Sequence, residues 1–254
     1  MNELPSASFH TQLKHYLTMK SKQIFSFLKA IAANNNRQWF AEHKEEYQQT
    51  KADFEQAVDC LISRIAEFDP AVAHLTSRDC CYRFYRDVRF SSDKSPYKRH
   101  YGAYICEAGR KSLRAGYYLH LQPGQSFVCG GAYYLPTNIL TACRNEIMAN
   151  IDEWRKMVEA KPFVDLFGTP GCGTLTDDGP SDKGFGIVHL KTCPKDFPRD
   201  YEFMHYLRMK DYAFWHRLDD KFFSKADWMD QVLQMFRLAM PVNHFLNSVI
   251  ADYE

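Results

Sequence analysis

The chain has 254 residues, of which 45% are hydrophobic and 25% charged, and its formal charge is +1. That length is enough to bury a large core in one or two domains, and the near-zero balance excludes any global attraction to nucleic acid or to an anionic membrane. The charge is uneven, however: from Arg78 to His120 ten Lys and Arg stand against four Asp and Glu, and a basic patch in a neutral protein is a place to look for a site.

The eight cysteines, at 60, 80, 81, 106, 129, 143, 172 and 193, form no CxxC and no CxxC…HxxxH spacing. Neither a disulfide framework nor a zinc site is read from them, and spacing assigns no metal ligands and no cofactor. The leading MNELPSASFHTQLKHYLTMK has no apolar stretch of signal-peptide length, and no run reaches the length of a membrane span. The expected setting is a reducing cytoplasm, away from the membrane, with the cysteines as free thiols.

Residues 1–21 are polar and mixed, and read as a tail or a short leading helix; 22–254 reads as a single α+β domain. Phe25, Leu28 and Ile31, three apart, predict a helix over Gln23–Ala33. Asn36 is an N-cap for the next element. There Phe40, Tyr47, Phe54, Leu61 and Phe68 recur every seven residues, which predicts one long helix of about thirty residues from Arg37 to Phe68. From Cys81 the period becomes two. Arg83, Tyr85, Asp87 and Arg89 alternate with Tyr82, Phe84, Arg86, Val88 and Phe90, the pattern of a strand. Tyr101–Cys106, Gly116–Leu121 and Ser126–Tyr134 follow as strands, the last two joined by the turn dipeptide Pro123-Gly124. Short connections make the four an antiparallel meander. A helix carrying Leu140, Cys143, Ile147, Ile151, Trp154 and Val158 is expected to end at Lys161-Pro162. Residues 168–186 hold six glycines and two prolines, yet no GxGxxG and no P-loop. Ile187–Leu190 and Lys210–Leu218 read as strands and Tyr201–Arg208 as a short helix. Ser224 and Asp227 cap a helix with Trp228, Val232, Met235 and Phe236, and Pro241 opens a last one. The fold class is α+β: a mostly antiparallel sheet of five or six strands packed with helices.

The stretch RFYRDVRFSSDKSPYKRHYGAYI resembles a widespread bacterial, and partly fungal, family of conserved hypothetical proteins that is carried as a domain of unknown function. The resemblance rests on Arg83, Tyr85, Arg86, Asp87, Arg89, Phe90, Ser91, Asp93, Lys94, Pro96, Tyr97 and Lys98. It extends upstream to NNNRQWF and downstream through GRKS, AGYYLHLQPG, HLKTCPKDF and PVNHFLNSVI. It implies the fold and a single domain, and carries no reaction with it. This sequence departs from the family pattern after Pro194. Asp196 stands where the family usually has glycine, and Tyr201 and Glu202 stand near an expected His-Pro.

The candidate ligand-binding residues are Arg83, Tyr85, Arg86, Asp87, Arg89, Asp93, Lys94, Tyr97 and Lys98. Guanidinium forks and ammonium groups suit a phosphate or carboxylate, and the tyrosines offer ring faces and hydroxyls. A small anionic ligand is the first reading. Single-stranded nucleic acid is an alternative, since cations interleaved with rings on an antiparallel sheet hold it. A metal-dependent phosphoester-processing enzyme on Asp87 and Asp93 is another, with His100 and His120 as acid–base candidates. In the blandest reading the motif is a structural network of Arg–Asp pairs, with Arg86 paired to Asp87, Asp93 or a distant carboxylate. In a third class, a structural or partner-binding protein, the Arg37–Phe68 helix would offer a second face to a partner, but the charges on that face (Glu42, Lys44, Glu45, Lys51, Glu55, Arg64) favour solvent. The sequence leaves open whether the chain is an enzyme, its oligomeric state and the role of residues 168–186.

Overall fold

A computed structural model describes residues 7–176 and 179–254, with side chains from Lys20 onward. Residues 7–21 belong to a helix, α1 (Ala7–Ala33), that runs on through the expected Gln23–Ala33 segment; residues 1–6 of the expected tail lie outside the described residues. Phe27, Leu28 and Ile31 on α1 are fully buried. The Asn36 side chain accepts the Trp39 N–H at 2.9 Å and caps α2 (Arg37–Glu42). The seven-residue stripe then continues along α3 (Lys44–Ile65), where Phe54, Val58 and Leu61 are buried. The single helix expected over Arg37–Phe68 is therefore split. At His43 the backbone leaves helical values, the imidazole stacks on Trp39 at 3.9 Å, and its Nδ1 bonds the Trp39 carbonyl at 2.8 Å. A side chain that competes for a helix carbonyl ends the turn locally. A short α4 (Ser77–Cys80) follows, closed by a capping box between Thr76 and Asp79.

The strands are β1 (Tyr101–Ile105), β2 (Tyr117–Leu121), β3 (Ser126–Gly130), the two-residue β4 (Leu175–Thr176) and β5 (Gly179–Pro180), β6 (Lys183–Phe185) and β7 (Phe214–Leu218). One antiparallel sheet has the order β1-β2-β3-β7-β6, and β4 and β5 pair separately. The expected meander keeps three of its four strands. Its first member, Cys81–Phe90, is not a strand; it touches its neighbours only through isolated bridges, Cys81 to Ala103 and Tyr85 to Tyr97. The strand expected at Ile187–Leu190 lies a few residues earlier, as β6, and His189 keeps only one bridge, to Met209. The glycine-rich segment thus supplies an edge strand. Gly184 is needed there, because any Cβ would run into the Trp215 ring of β7.

Helices α5 (Thr137–Ala149) and α6 (Ile151–Val158) replace the single helix expected to end at Lys161-Pro162, and α7 (Lys161–Phe167) follows where none was expected. Pro162 opens α7 rather than ending its predecessor, since the first turn of a helix needs no proline N–H. After α8 (Met204–Leu207), the final helix α9 (Trp228–Ile250) runs straight through Pro241, where a new helix was expected to begin. Pro241 is exposed, so the carbonyl it leaves without a donor faces water.

Side chains alternate across the sheet. Tyr101, Ala103, Ile105, Tyr117, Leu119, Leu121, Val128 and Phe214 point to the inner face and are buried. Tyr101 stacks on Phe54 of α3, Tyr117 meets Phe236 of α9, and Phe214 meets Phe163 and Phe167 of α7. The helices therefore lie on one face, as expected for α+β. The outer face carries Gly102 and Tyr104 of β1, Tyr118 and His120 of β2, Phe127 and Cys129 of β3, and Trp215 and Arg217 of β7. None of the described residues is in a helix long and apolar enough to cross a membrane.

Candidate functional site

The motif hangs from one buried ring. Phe84 is 3% exposed and packs among Phe27, Phe40, Tyr47, Tyr97 and Tyr101. Its neighbours Arg83, Tyr85, Asp87 and Arg89 are exposed. Tyr97 is buried and stacks on Phe40 at 3.9 Å, so it serves packing more than binding. Its backbone is held by Asn35, whose amide takes the Tyr97 N–H at 3.1 Å and donates to its carbonyl at 2.9 Å. A side-chain amide here does what a neighbouring strand would do.

Between Phe84 and Tyr97 the chain is stitched to itself. Arg86 donates to Asp93 Oδ2 at 2.6 Å, to the Ser95 carbonyl at 3.1 Å and to Ser91 Oγ at 3.2 Å. Asp93 also accepts the Ser95 N–H and hydroxyl. With Arg86, those bonds hold its carboxyl down to about 2. Arg89 forms a bidentate pair with Asp87 at 3.0 and 2.7 Å, which holds that carboxyl below the usual range. Lys94 donates to the Val88 carbonyl at 3.0 Å. These local bonds occupy groups that a strand ladder needs, which is why the alternation did not become a strand. Phe90, at the tip, is 98% exposed with the Arg89 guanidinium 5.9 Å from its ring centre.

The cations therefore fall into two sets. Arg86 and Arg89 each have a carboxylate, as the structural-network reading expects. Lys94, Arg83 and Lys98 form no ion pair among the described residues: Lys94 is held by the Val88 carbonyl, and the Arg83 charge reaches Asp87 only at longer range. The Lys98 ammonium sits 5.2 Å from the centre of the Tyr82 ring, and burial followed by the nearby Arg83 charge pushes its pKa down. Tyr85, half exposed, leans edge-on to Phe40 and beside Tyr97.

Lys98 leads onto the outer face of the sheet. There His100 lies on His120 with ring centres 4.2 Å apart, and His120 stacks on Phe127 at 4.6 Å. Tyr118 Oη meets His120 Nδ1 at 2.9 Å, and His120 Nε2 meets Gln122 Oε1 at 3.1 Å. The amide oxygen can only accept, so Nε2 carries the proton and Nδ1 accepts from the tyrosine. Burial pushes His100 down to about 3 and His120 to about 4, with Lys98 adding to both shifts. Both imidazoles are neutral at ordinary pH. Gly102 allows Tyr118 to lie across β1, since a Cβ there would meet the tyrosine hydroxyl. Tyr82 approaches Tyr118 edge-on at 6.3 Å.

For metal chemistry, Asp87 and Asp93 are each held by an arginine, and no group of three or more His, Cys, Asp or Glu among the described residues is placed to hold an ion. Two clefts of about 340 Å³ lie elsewhere, one beside Lys22, Phe25, Lys29 and Phe223, the other beside Asp152, Arg155 and Glu159. The eight cysteines are free thiols. Burial pushes several of them up, Cys80 to about 12.

Reading residues one motif at a time missed Asn35, Tyr82 and the His100–His120 contact. Asn35 lies in the NNNRQWF stretch that the family resemblance already included, so the signal was present without its geometry. Asp196 is informative in the same way. Its φ is +69, the left-handed region that favours glycine and that aspartate tolerates better than most residues. A glycine, which the family resemblance leads one to expect there, adopts that conformation without strain.

A family model described as conserved hypothetical protein (DUF2461) matches residues 23–245. Comparisons with curated proteins and with solved structures give no match.

Proposed function

Given that the chain belongs to the DUF2461 family of conserved hypothetical proteins, we propose that it binds a small anionic ligand, bearing phosphate or carboxylate, between Arg83 and Lys98. What supports this reading is that neither Arg83 nor Lys98 forms an ion pair among the described residues: the Lys98 ammonium lies over the Tyr82 ring with its pKa lowered by burial and by the Arg83 charge, and Asp87, the acid that Arg83 also reaches, is already held by two bonds to Arg89. Like charges held together are unfavourable alone, and an anion relieves them. Arg86, Asp87, Arg89, Asp93 and Lys94 frame this place by fixing the loop, while Tyr85 and Tyr97 brace it from the aromatic side. Eight free thiols support a reducing, cytoplasmic setting.

The test is thermal denaturation with inorganic phosphate, pyrophosphate and citrate, on wild type and on an Arg83→Ala/Lys98→Ala double variant. One of the anions raises the wild-type Tm, by an amount equivalent to about 2.7 kcal/mol at a hundredfold excess over Kd, and leaves the variant unmoved. Equal shifts in both proteins would show that the anion binds elsewhere.

A further inference from the structure

We propose that the ligand held by Arg83 and Lys98 is a nucleotide, whose base lies on the ring-lined outer face of the sheet beside Tyr82. This rests on the anion reading above and names the chemistry attached to the anion.

An antiparallel sheet with helices on one face normally turns polar side chains to the other. Here the outer face carries Tyr104, Tyr118, His120, Phe127 and Trp215 in the positions where polar residues belong; His120 and Trp215 are buried, and the accessible ring surface is that of the half-buried Tyr104, Tyr118 and Phe127. No Asp or Glu occupies an outward position on the five strands, and the acids that reach this face, Asp211 beside Cys129 and Glu254 beside Tyr104, shift neither Lys98 nor Tyr82. Gly102 lets Tyr118 cross the face instead of standing from it, and Tyr82 continues the surface at 40% exposure. The hydrogen-bond chain from Tyr118 through His120 to Gln122 fixes the central imidazole as a neutral ring. The Lys98 ammonium, 5.2 Å from the Tyr82 ring centre, puts the anion-binding charge and the stacking surface side by side. Cations at the rim of an aromatic sheet suit a molecule with a phosphate at one end and a flat ring at the other. That chemistry is met by a free nucleoside phosphate or by one unit of a single strand.

Calorimetric titration separates these readings. The probes are inorganic phosphate, adenosine monophosphate and a twelve-nucleotide single strand, each against wild type, Tyr82→Leu and Phe127→Leu. Wild type binds adenosine monophosphate about tenfold more tightly than phosphate. Tyr82→Leu, an exposed change that the fold tolerates, removes that advantage and leaves phosphate affinity as it was; Phe127→Leu acts the same way from the next strand. Tighter binding of the strand than of the mononucleotide identifies a nucleic acid as the source, and equal or weaker binding identifies the free nucleotide. If adenosine monophosphate binds no better than phosphate, or Tyr82→Leu weakens both alike, the nucleotide assignment is wrong while the anion site stands. If phosphate itself does not bind, the anion site falls and the nucleotide with it.

Discussion

At the scale of single residues, the decisive question for each cation is what it faces. Arg86 and Arg83 are alike in sequence and opposite in situation. Arg86 reaches three acceptors within its own loop, whereas Arg83 forms no ion pair among the described residues; its charge lowers both the Asp87 carboxyl and the Lys98 ammonium. The neutral histidines give a residue-scale prediction. His100 falls from 6.5 to about 3 and His120 from 6.5 to about 4 on folding, because burial and Lys98 oppose the imidazolium. Between those values and 6.5 the unfolded chain binds more protons than the folded one. Stability is therefore full above about pH 6.5 and is lost as the pH falls toward 4, at most about 1.4 kcal/mol per pH unit for each ring. Urea unfolding at pH 7 and pH 5 should show this loss, and His100→Phe should reduce it. An unchanged slope in that variant would mean that the ring is not held neutral by its surroundings.

At the scale of elements, Phe84 ties the motif to the helices. It packs in a cluster drawn from α1, α2, α3, the motif loop and β1. Phe84→Ala is expected to cost about 3–5 kcal/mol, the largest loss from any single change between Cys81 and Lys98, read as a lower urea midpoint with an unchanged m-value. A cost below about 1 kcal/mol would show that the loop is positioned by its ion pairs instead. The same stretch explains why the strand reading failed. Alternation records which side chains dislike water, but a strand also needs a neighbour for its backbone. Among the described residues the backbone here pairs with its neighbours only at Tyr82, Phe84 and Arg86; beyond them Lys94 takes the Val88 carbonyl, and side chains of Asn35 and Arg86 take the backbone of Tyr97 and Ser95 across from it. Helix boundaries failed for related local reasons. Periodicity predicted the buried stripe of α3 correctly and could not register the ring stack of His43 on Trp39, which ends the preceding turn.

At the scale of the molecule, the C-terminal helix closes the sheet. Asn243, 1% exposed on α9, accepts the Gly131 N–H at 2.8 Å and donates to the Gly116 carbonyl at 3.1 Å. Asn247, one turn on, bonds both the N–H and the carbonyl of Ala115. Asn243→Ala leaves a buried donor and a buried acceptor without partners, and is expected to cost about 2–5 kcal/mol. Hydrogen exchange should then show faster opening at Gly131 and in the ends of β2 and β3; protection there equal to wild type would rule the tie out. The sequence by itself determined the α+β class, the buried stripes, the three central strands and the charge excess of the motif. All of these follow from the water affinity of residues at a fixed spacing, which is a local property. Only the tertiary structure decided that Cys81–Phe90 is a stitched loop, that the glycine-rich segment gives the sheet its edge, and that the Lys98 ammonium lies over the Tyr82 ring beside the outer face of the sheet. Those outcomes depend on which groups far apart in the chain meet, and a pairing energy between distant groups leaves no period in the sequence to read.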